Sequence, residues 1–226
     1  MEKTAKEMQD DGNFFSKYGS FFIKGLKNTI LISLIGVILG SILGAFIALL
    51  KLTKLKTLSW LASTYIEFLR GAPMLVQAFI VFFSTTAALG LDVSALICGT
   101  IVLVINSSAY IAEIIRAGIN AVGKGQTKAA RSLGLNYSQT MKAVVMPQAV
   151  KNILPALGNE FVTLIKESSI VSTIGVGEII FNAQVVQGIS FDPFTPLLIA
   201  AILYFILTFA LSLLMSYVEG RMRVSD

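Results

Sequence analysis

The sequence has 226 residues, of which 55 % are hydrophobic and 14 % charged, and this apolar share predicts an integral membrane protein. Cys98 is the one cysteine and histidine is absent, so the composition excludes a disulfide framework and a cysteine–histidine metal cluster. The formal net charge of +5 does not indicate a nucleic-acid partner, because basic residues between membrane spans follow from membrane orientation.

The first long apolar stretch follows a polar amino-terminal segment of mixed charge. Its length exceeds the core of a cleaved signal peptide, so we expect the first transmembrane helix over about residues 21–50. Gly36, Gly40 and Gly44 recur in this stretch at every fourth position. Such spacing places the glycines on one face of a helix and predicts the close approach of a second helix.

Four further apolar stretches follow along the chain. The second should bend at the sequence RGAP of residues 70–73, because proline interrupts helical hydrogen bonding, and the fourth should weaken at Gly175. Residues 182–193 are expected to form a loop. The predicted spans lie at about residues 58–88, 93–115, 156–181 and 194–218. The sequence therefore predicts an all-α integral membrane protein, a single domain over residues 1–226 with five transmembrane helices.

A long polar segment, residues 118–155, separates the third and fourth spans. Its apolar and basic residues alternate at three- and four-residue spacings, which is typical of short amphipathic helices. Gly134 can adopt the left-handed conformation that ends a helix, and Asn136 can cap the next one. We therefore expect a helical hairpin whose second helix ends near Pro147. Its cationic edge will not enter a bilayer, so the hairpin should protrude into the cytoplasm as a docking surface.

Lysine and arginine residues define the expected orientation in the membrane. They occur between residues 51 and 56, in the hairpin and in the carboxyl-terminal tail, whereas residues 89–92 and 182–193 contain none. By the positive-inside rule, the amino terminus is predicted to lie outside and the carboxyl terminus in the cytoplasm.

Polar residues within the predicted spans indicate where a substrate would bind, because placing such residues in lipid is unfavourable. They recur at helical spacings and are expected to line one translocation path. The candidate substrate-binding residues are Gln77, Asn106, Tyr110, Asn159, Glu160 and Thr163. The remaining charged residues are expected to pair with one another and hold the bundle or dimer together, and these are Glu67, Arg70, Glu113, Arg116, Lys166 and Glu167.

The sequence GINAVGK at residues 118–124 matches the first part of a phosphate-binding loop. Gly125 stands where that loop requires a serine or threonine, and the segment follows a membrane span instead of a strand. The sequence shows neither a nucleophile elbow nor paired catalytic carboxylates in a polar setting. We therefore expect that the chain is not an enzyme and does not itself hydrolyse ATP.

Several blocks of the sequence resemble one family of membrane proteins. GQTKAARSLG at residues 125–134, followed by MPQA at 146–149, resembles the EAA loop of permease subunits of bacterial ATP-binding cassette importers. RGAPMLVQ at residues 70–77 and the block at residues 109–119 resemble the branch that imports polar amino acids. The family's EAA signature usually begins with glutamate, whereas this chain has Lys128 at that position.

This resemblance implies a function and a set of partners. The chain is then the permease subunit of an ATP-driven amino acid importer in the bacterial plasma membrane, without a cofactor of its own. Two ATPase subunits would bind ATP and magnesium, a second permease copy or homologue would pair with the chain, and an extracytoplasmic binding protein would deliver the amino acid. The residues expected to couple the hairpin to the ATPase are Lys128, Ala129, Ala130, Leu133 and Gly134.

The polar face of the fourth span favours a cationic amino acid such as arginine, lysine or histidine, with Glu160 as its counter-charge. If Lys166 neutralises the charge of Glu160, the site would instead suit glutamine or another neutral polar amino acid. Two other classes remain as alternatives, a self-sufficient secondary carrier and a receptor-like or scaffold membrane protein. A secondary carrier needs no cytoplasmic docking hairpin, and the EAA-like hairpin favours the importer over both.

Overall fold

The computed structural model describes the backbone of residues 2–85 and 90–223, with side chains from 14 to 85 and from 90 to 221. These residues form helices and contain no strand, which confirms the all-α prediction. The expected end of the second span, at residue 88, lies outside the described residues. The α-helices are α1 (Glu2–Leu52), α2 (Lys56–Gly71), α3 (Met74–Phe83), α4 (Ala95–Asn120), α5 (Lys124–Ser132), α6 (Tyr137–Thr140), α7 (Met146–Glu167), α8 (Ile179–Ser190) and α9 (Thr195–Arg223).

Three of these helices are long and apolar enough to cross a membrane, namely α1 from Phe14, α4, and α9 as far as Arg221. Two bent helix pairs pass the same test when each pair is taken together. One consists of α2 and α3, bent by 106°, and the other joins residues 137–174 to α8 with a bend of 49°. The described residues therefore contain three single-helix candidate spans, or up to five if each bent pair counts as one.

The break between α2 and α3 occurs at the predicted sequence of residues 70–73. Proline has no backbone N–H to continue the helical ladder, and the break leaves carbonyl groups without their usual partners. The side chain of Gln77 compensates, because its Nε2 donates to the carbonyl oxygens of Leu69 at 2.8 Å and Ala72 at 3.0 Å. The predicted bend is confirmed, and a buried polar side chain stabilises it.

The glycine stripe of α1 packs against α4 and α7, as the four-residue spacing predicts. A Cβ added at Gly36 would lie 2.9 Å from Leu164, and one at Gly40 would lie 2.5 Å from the Ser107 hydroxyl. At Gly44 the obstacle is backbone, because the added carbon would lie 2.7 Å from the Ser108 carbonyl oxygen. Only glycine permits this approach of α1 to its neighbours.

The second half of the hairpin does not end near Pro147, so that prediction is wrong. Helix α6 continues through a π-helical turn, Met141–Val145, into α7, where Pro147 occupies the first turn. The Met146 N–H bonds to the Met141 carbonyl, five residues back, and this π-helical turn accommodates Pro147, which has no N–H to continue the ladder. Pro155 lies inside α7, so the helix that carries the predicted fourth span is continuous with the hairpin.

The loop expected at residues 182–193 is also wrong for most of its length. Gly175 adopts a left-handed conformation, with φ of +92°, and ends the 3-10 turn that follows α7. The chain then re-enters a helix, α8, which continues to Ser190. The Glu178 carboxylate caps α8 by accepting hydrogen bonds from the backbone N–H groups of Ile180 and Phe181. Serine, threonine, aspartate or asparagine is the usual signal for such a cap, so the helix start was not evident.

The glycine stripe generates a matched test within α1. Gly44→Ala should destabilise the protein by about 1–3 kcal/mol, because the new methyl group meets the α4 backbone. Gly19→Ala is the control, since nothing lies within 4 Å of an added Cβ there. In detergent, thermal unfolding should begin at a lower temperature for Gly44→Ala alone. Equal melting temperatures for the two variants would contradict the packing account.

Candidate functional site

Two predicted substrate-site residues from different helices contact each other inside the bundle. Asn106 on α4 donates through Nδ2 to Oε1 of Gln77 on α3 at 3.3 Å, and both side chains are buried. The Asn106 Oδ1 atom is buried and has no hydrogen-bond partner within the part of the chain that the structure describes. An acceptor of this kind is available to a donor on a bound molecule or to water.

Tyr110 lies one helical turn beyond Asn106 on α4. The guanidinium group of Arg70 sits over its ring, with Cζ 5.5 Å from the ring centroid. Arg70 is exposed and Tyr110 is half-buried. The stacking brings the end of α2 next to the polar face of α4.

One of the ion pairs expected among the charged residues is present, and it joins Glu113 to Arg116. Arg116 donates through Nε to both carboxylate oxygens of Glu113, at 3.0 and 2.9 Å, and its Nη2 also contacts Glu113. Lys51 of α1 donates to the same carboxylate at 3.2 Å. This cluster ties the end of α1 to α4, and the Glu113–Arg116 prediction is confirmed.

The other expected pairs do not form among the described residues. No ion pair there includes Glu67, Arg70, Lys166 or Glu167, although Glu67 and Arg70 lie one turn apart on α2. Within this chain the predicted pairing therefore does not form for these four residues, and their pairing across a dimer stays a prediction.

Helix α7 carries the three remaining substrate-site candidates in different environments. Glu160 is buried, with 8 % of its surface exposed, whereas Asn159 is exposed and Thr163 is half-buried. Within the described residues, Glu160 has neither an ion pair nor a hydrogen bond. A buried carboxylate without a partner is costly in a protein interior, and a cationic ligand would relieve that cost.

Contacts between helices establish a common level for α4 and α7. A Cβ added at Gly36 would lie 3.2 Å from Leu103 on α4 and 2.9 Å from Leu164 on α7, so these leucines lie at the same depth. Gly118, near the end of α4, faces Ile153, near the start of α7. The two helices therefore run in opposite directions.

These contacts give the depth of Glu160. Distances along a helix axis follow from its rise of about 1.5 Å per residue. Measured in this way, Tyr110 lies about 10 Å from Leu103 on α4, and Glu160 lies about 6 Å from Leu164 on α7. Both displacements are directed towards the hairpin. Their depths therefore agree to within about one helical turn. We refer to the side chains at this depth as the polar layer, which consists of Arg70, Gln77, Asn106, Tyr110 and Glu160. Among the described residues, no hydrogen bond joins Glu160 to the other members of the polar layer. None joins Asn159 or Thr163 to the layer either.

The tight turn of the hairpin has the predicted chemistry. Gly134 adopts a left-handed conformation with φ of +87°. Its N–H donates to the Arg131 carbonyl at 3.1 Å, and the Leu135 N–H donates to the Ala130 carbonyl at 3.3 Å. These two bonds form a Schellman motif that ends α5. Asn136 then opens α6 in a capping box with Gln139, so both predicted turn residues are confirmed.

The hairpin presents most of the predicted coupling residues at its surface. Lys128, Ala129 and Gly134 are exposed, and 83 % of the Leu133 surface is accessible. Ala130 differs, because it is buried with only 4 % of its surface exposed. The base of the hairpin is held by an apolar cluster of buried residues from the α4–α5 junction, the π-helical turn and α7, namely Val122, Val145, Ala149 and Ile153. The exposed tip is thereby attached to the membrane helices that carry the polar layer.

One buried polar group was not predicted from the sequence. Glu178, fully buried at the start of α8, accepts a hydrogen bond from the Tyr204 hydroxyl of α9. Nearby, Asn28 of α1 donates to the Gly177 carbonyl at 2.7 Å, and the Ile179 N–H donates to the Thr29 hydroxyl at 3.3 Å. This network joins α1, α8 and α9. A glutamate directly after Gly-x-Gly inside an apolar run was the available signal.

Comparisons with known proteins relate the whole arrangement to one family. Residues 36–224 match the family described as binding-protein-dependent transport system inner membrane component. The arginine transport system permease protein ArtQ of Bacillus subtilis is 38 % identical over 206 residues, covering 91 % of this chain and 94 % of that protein. The putative glutamine transport system permease protein GlnP of Rickettsia conorii is 40 % identical over 205 residues, covering 91 % and 94 %.

Solved structures show the same arrangement of helices. The crystal structure of an amino acid ABC transporter with histidines matches with a TM-score of 0.88 at 45 % identity, covering 92 % of this chain and 96 % of that chain. An inward-facing structure of the MetNI methionine ABC transporter matches with a TM-score of 0.74 at 16 % identity, covering 89 % and 96 %. The second match shows a shared fold alone.

The turn at Gly134 gives a test that needs no partner protein. Gly134→Val should loosen the hairpin by roughly 1–2 kcal/mol, because a β-branched side chain tolerates positive φ poorly. An added Cβ meets nothing within 4 Å, so strain and not collision is the cause. Trypsin should cleave the hairpin several-fold faster in this variant. Gly134→Asn is the control, since asparagine adopts this conformation readily, and equally fast cleavage of both variants would contradict the account.

Proposed function

Because this chain belongs to the family of binding-protein-dependent transport system inner membrane components, we propose that it is the permease subunit of an ATP-driven importer of polar amino acids. Members of this family are integral inner-membrane proteins that work with a separate ATPase and a substrate-binding protein. The amino acid class is supported by relatives named for arginine and glutamine transport, which align over about nine-tenths of this chain. In this proposal each bent helix pair counts as one span, which gives five crossings.

The observation that carries the substrate proposal is the buried, unpaired Glu160. A carboxylate at this depth is unfavourable unless an opposite charge is present, and an incoming guanidinium or ammonium group supplies one. Lys166 does not form an ion pair with Glu160 among the described residues, so Lys166 does not supply that charge within the chain. We therefore propose a cationic amino acid such as arginine, lysine or histidine, with Asn159 and Thr163 beside Glu160 on the same helix.

A neutral polar substrate is the second candidate, and a specific observation favours it. Several relatives are named as glutamine transport permeases, at identities equal to or slightly above that of the arginine relative. The unsatisfied Oδ1 of Asn106 and the amide of Gln77 would suit the side-chain amide of glutamine. In that case a protonated Glu160 would donate a hydrogen bond instead of providing charge.

The chain contributes the path, and we propose that ATP and magnesium bind to partner subunits. The GINAVGK sequence joins the end of α4 to the start of α5, and Gly118 there packs closely against Ile153. A phosphate-binding loop instead follows a strand, so this segment has a packing role. Two ATPase subunits, a second permease copy or homologue and an external binding protein complete the proposed assembly.

We propose that the tip of the hairpin couples this chain to the ATPase. The apolar side chain of Leu133 projects from a surface that also carries the exposed cations Lys124, Lys128 and Arg131. We propose that Leu133 enters an apolar socket of the ATPase and that the cations meet an acidic rim. With the hairpin on the cytoplasmic side, the amino terminus lies outside and the carboxyl terminus inside.

Reversal of the charge at Lys128 tests the polarity of this contact. Lys128→Glu should weaken association with the ATPase by about 5-fold at low salt, and by less at high salt, because exposed ion pairs are screened. Lys54→Glu, an exposed lysine outside the hairpin, is the matched control. Affinity is measured by titrating the purified ATPase onto the permease in detergent. Stronger binding by Lys128→Glu would show that the rim of the ATPase socket is basic, and it would contradict the proposal.

Removal of charge from Glu160 tests the substrate class. Glu160→Gln keeps the side-chain shape and should reduce arginine uptake by about 10- to 100-fold, the loss expected for one charge-assisted hydrogen bond. Glutamine uptake should change far less. Asp92→Asn removes an exposed carboxylate between α3 and α4 and serves as the control. Labelled uptake is measured in proteoliposomes with the ATPase and binding protein, and unchanged arginine uptake in Glu160→Gln would exclude Glu160 from charge recognition.

A further inference from the structure

Arg70 is the charged member of the polar layer that the proposed function has not used. It lies at the end of α2, where the chain breaks before α3, and no hydrogen bond or ion pair to it occurs among the described residues. A charged side chain at membrane depth is unfavourable unless it is paired or faces a water-filled cavity. A cation held there needs a partner that the described residues do not provide.

The contact with Tyr110 holds the guanidinium group without satisfying its hydrogen-bond donors. In a cation–π contact of this kind the cation is attracted to the face of the aromatic ring. The N–H donors lie in the plane of the group and point away from its edge. Because no hydrogen bond or ion pair among the described residues includes Arg70, these donors are available to a bidentate acceptor, for which a carboxylate has matching geometry.

The carboxylates nearby do not fill this role. Glu113 is engaged by both Arg116 and Lys51. Glu67, one turn before Arg70 on α2, forms no ion pair among the described residues. Glu160 lies at about the same depth on α7 and also has no ion pair among the described residues. Within the part of the chain that the structure describes, the polar layer thus contains one unpaired cation and one unpaired anion, on different helices.

We propose that Arg70 binds the α-carboxylate of the transported amino acid. This inference rests on the proposed function as an amino acid permease and specifies how the substrate is held. Every α-amino acid carries a carboxylate whatever its side chain, so the assignment is the same for arginine and glutamine. Arg70 would receive the carboxylate while Glu160 faces the side chain of a cationic amino acid, so the two charges suit opposite ends of one substrate.

Matched ligands with and without a carboxylate provide the test. Agmatine is arginine without its carboxylate, and γ-aminobutyramide is glutamine without its carboxylate. The purified complex of permease and ATPase, without the binding protein, is titrated with each of the four compounds. The unmodified complex should bind arginine or glutamine at least about 10-fold more tightly than its decarboxylated partner, as expected for a charge-assisted bond.

The variants separate recognition from folding. Arg70→Gln should weaken binding of the amino acid by about 10-fold or more and leave the decarboxylated compound within about 2-fold, so the preference disappears. Arg70→Lys keeps the charge without the bidentate edge and should retain part of the preference. Arg221→Gln is the matched control, because Arg221 also stacks on a tyrosine, Tyr217, with Cζ 5.4 Å from the ring centroid. It should leave all affinities unchanged.

Several results would overturn the proposal. One is an equal loss of affinity for both members of a ligand pair in Arg70→Gln, and another is no loss for either. Failure of Arg70→Gln to assemble, with assembly restored by the double variant Glu67→Arg/Arg70→Glu, would show that Arg70 pairs with Glu67 of a second copy. Failure of the proposed substrate class is a separate result, since it appears as an unmodified complex that prefers glutamine to arginine.

Discussion

The structure depends on one constraint, namely that charged and polar side chains within an apolar helical bundle must find partners. Glu113 satisfies it with Lys51 and Arg116, and this ion cluster ties α1 to α4. Glu178 satisfies it with the Tyr204 hydroxyl and the α8 backbone. Arg70 and Glu160 do not satisfy it within the described residues. Opposite charges without partners at one depth mark the position where a charged molecule is expected.

Two interruptions of the helices and the glycine stripe of α1 position the helices that carry this layer. The break at residues 71–73 turns the chain by 106°, so α2 ends at the polar layer and α3 places Gln77 against Asn106. A second interruption, at Gly175, redirects the chain after α7 into α8. The glycines of α1 allow α4 and α7 to lie close to the same helix. Movement of the hairpin would pass directly into α7, because α6, the π-helical turn and α7 are continuous.

Features encoded by a few neighbouring residues could be predicted from the sequence. The left-handed turn at Gly134, the cap at Asn136 and the bend before Pro73 all depend on local backbone chemistry. Helix α8 could not be predicted, because its Glu178 cap is stabilised by Tyr204, which is distant in sequence. The pairing of charged residues was predictable only for Glu113 and Arg116. Neighbouring positions on a helix do not determine where long side chains extend, so the unpaired state of Arg70 required the three-dimensional structure.

The central claim is that the two unpaired charges of the polar layer hold a cationic amino acid, Arg70 by its carboxylate and Glu160 by its side chain. Its most direct test is the structure of the complete complex, with the ATPase and the second permease subunit, determined with arginine bound. The account predicts density for the amino acid between α2, α4 and α7, with its carboxylate about 3 Å from the Arg70 guanidinium and its positive end directed towards Glu160. Density at a different depth, or Arg70 paired with a protein carboxylate while arginine is bound, would contradict it.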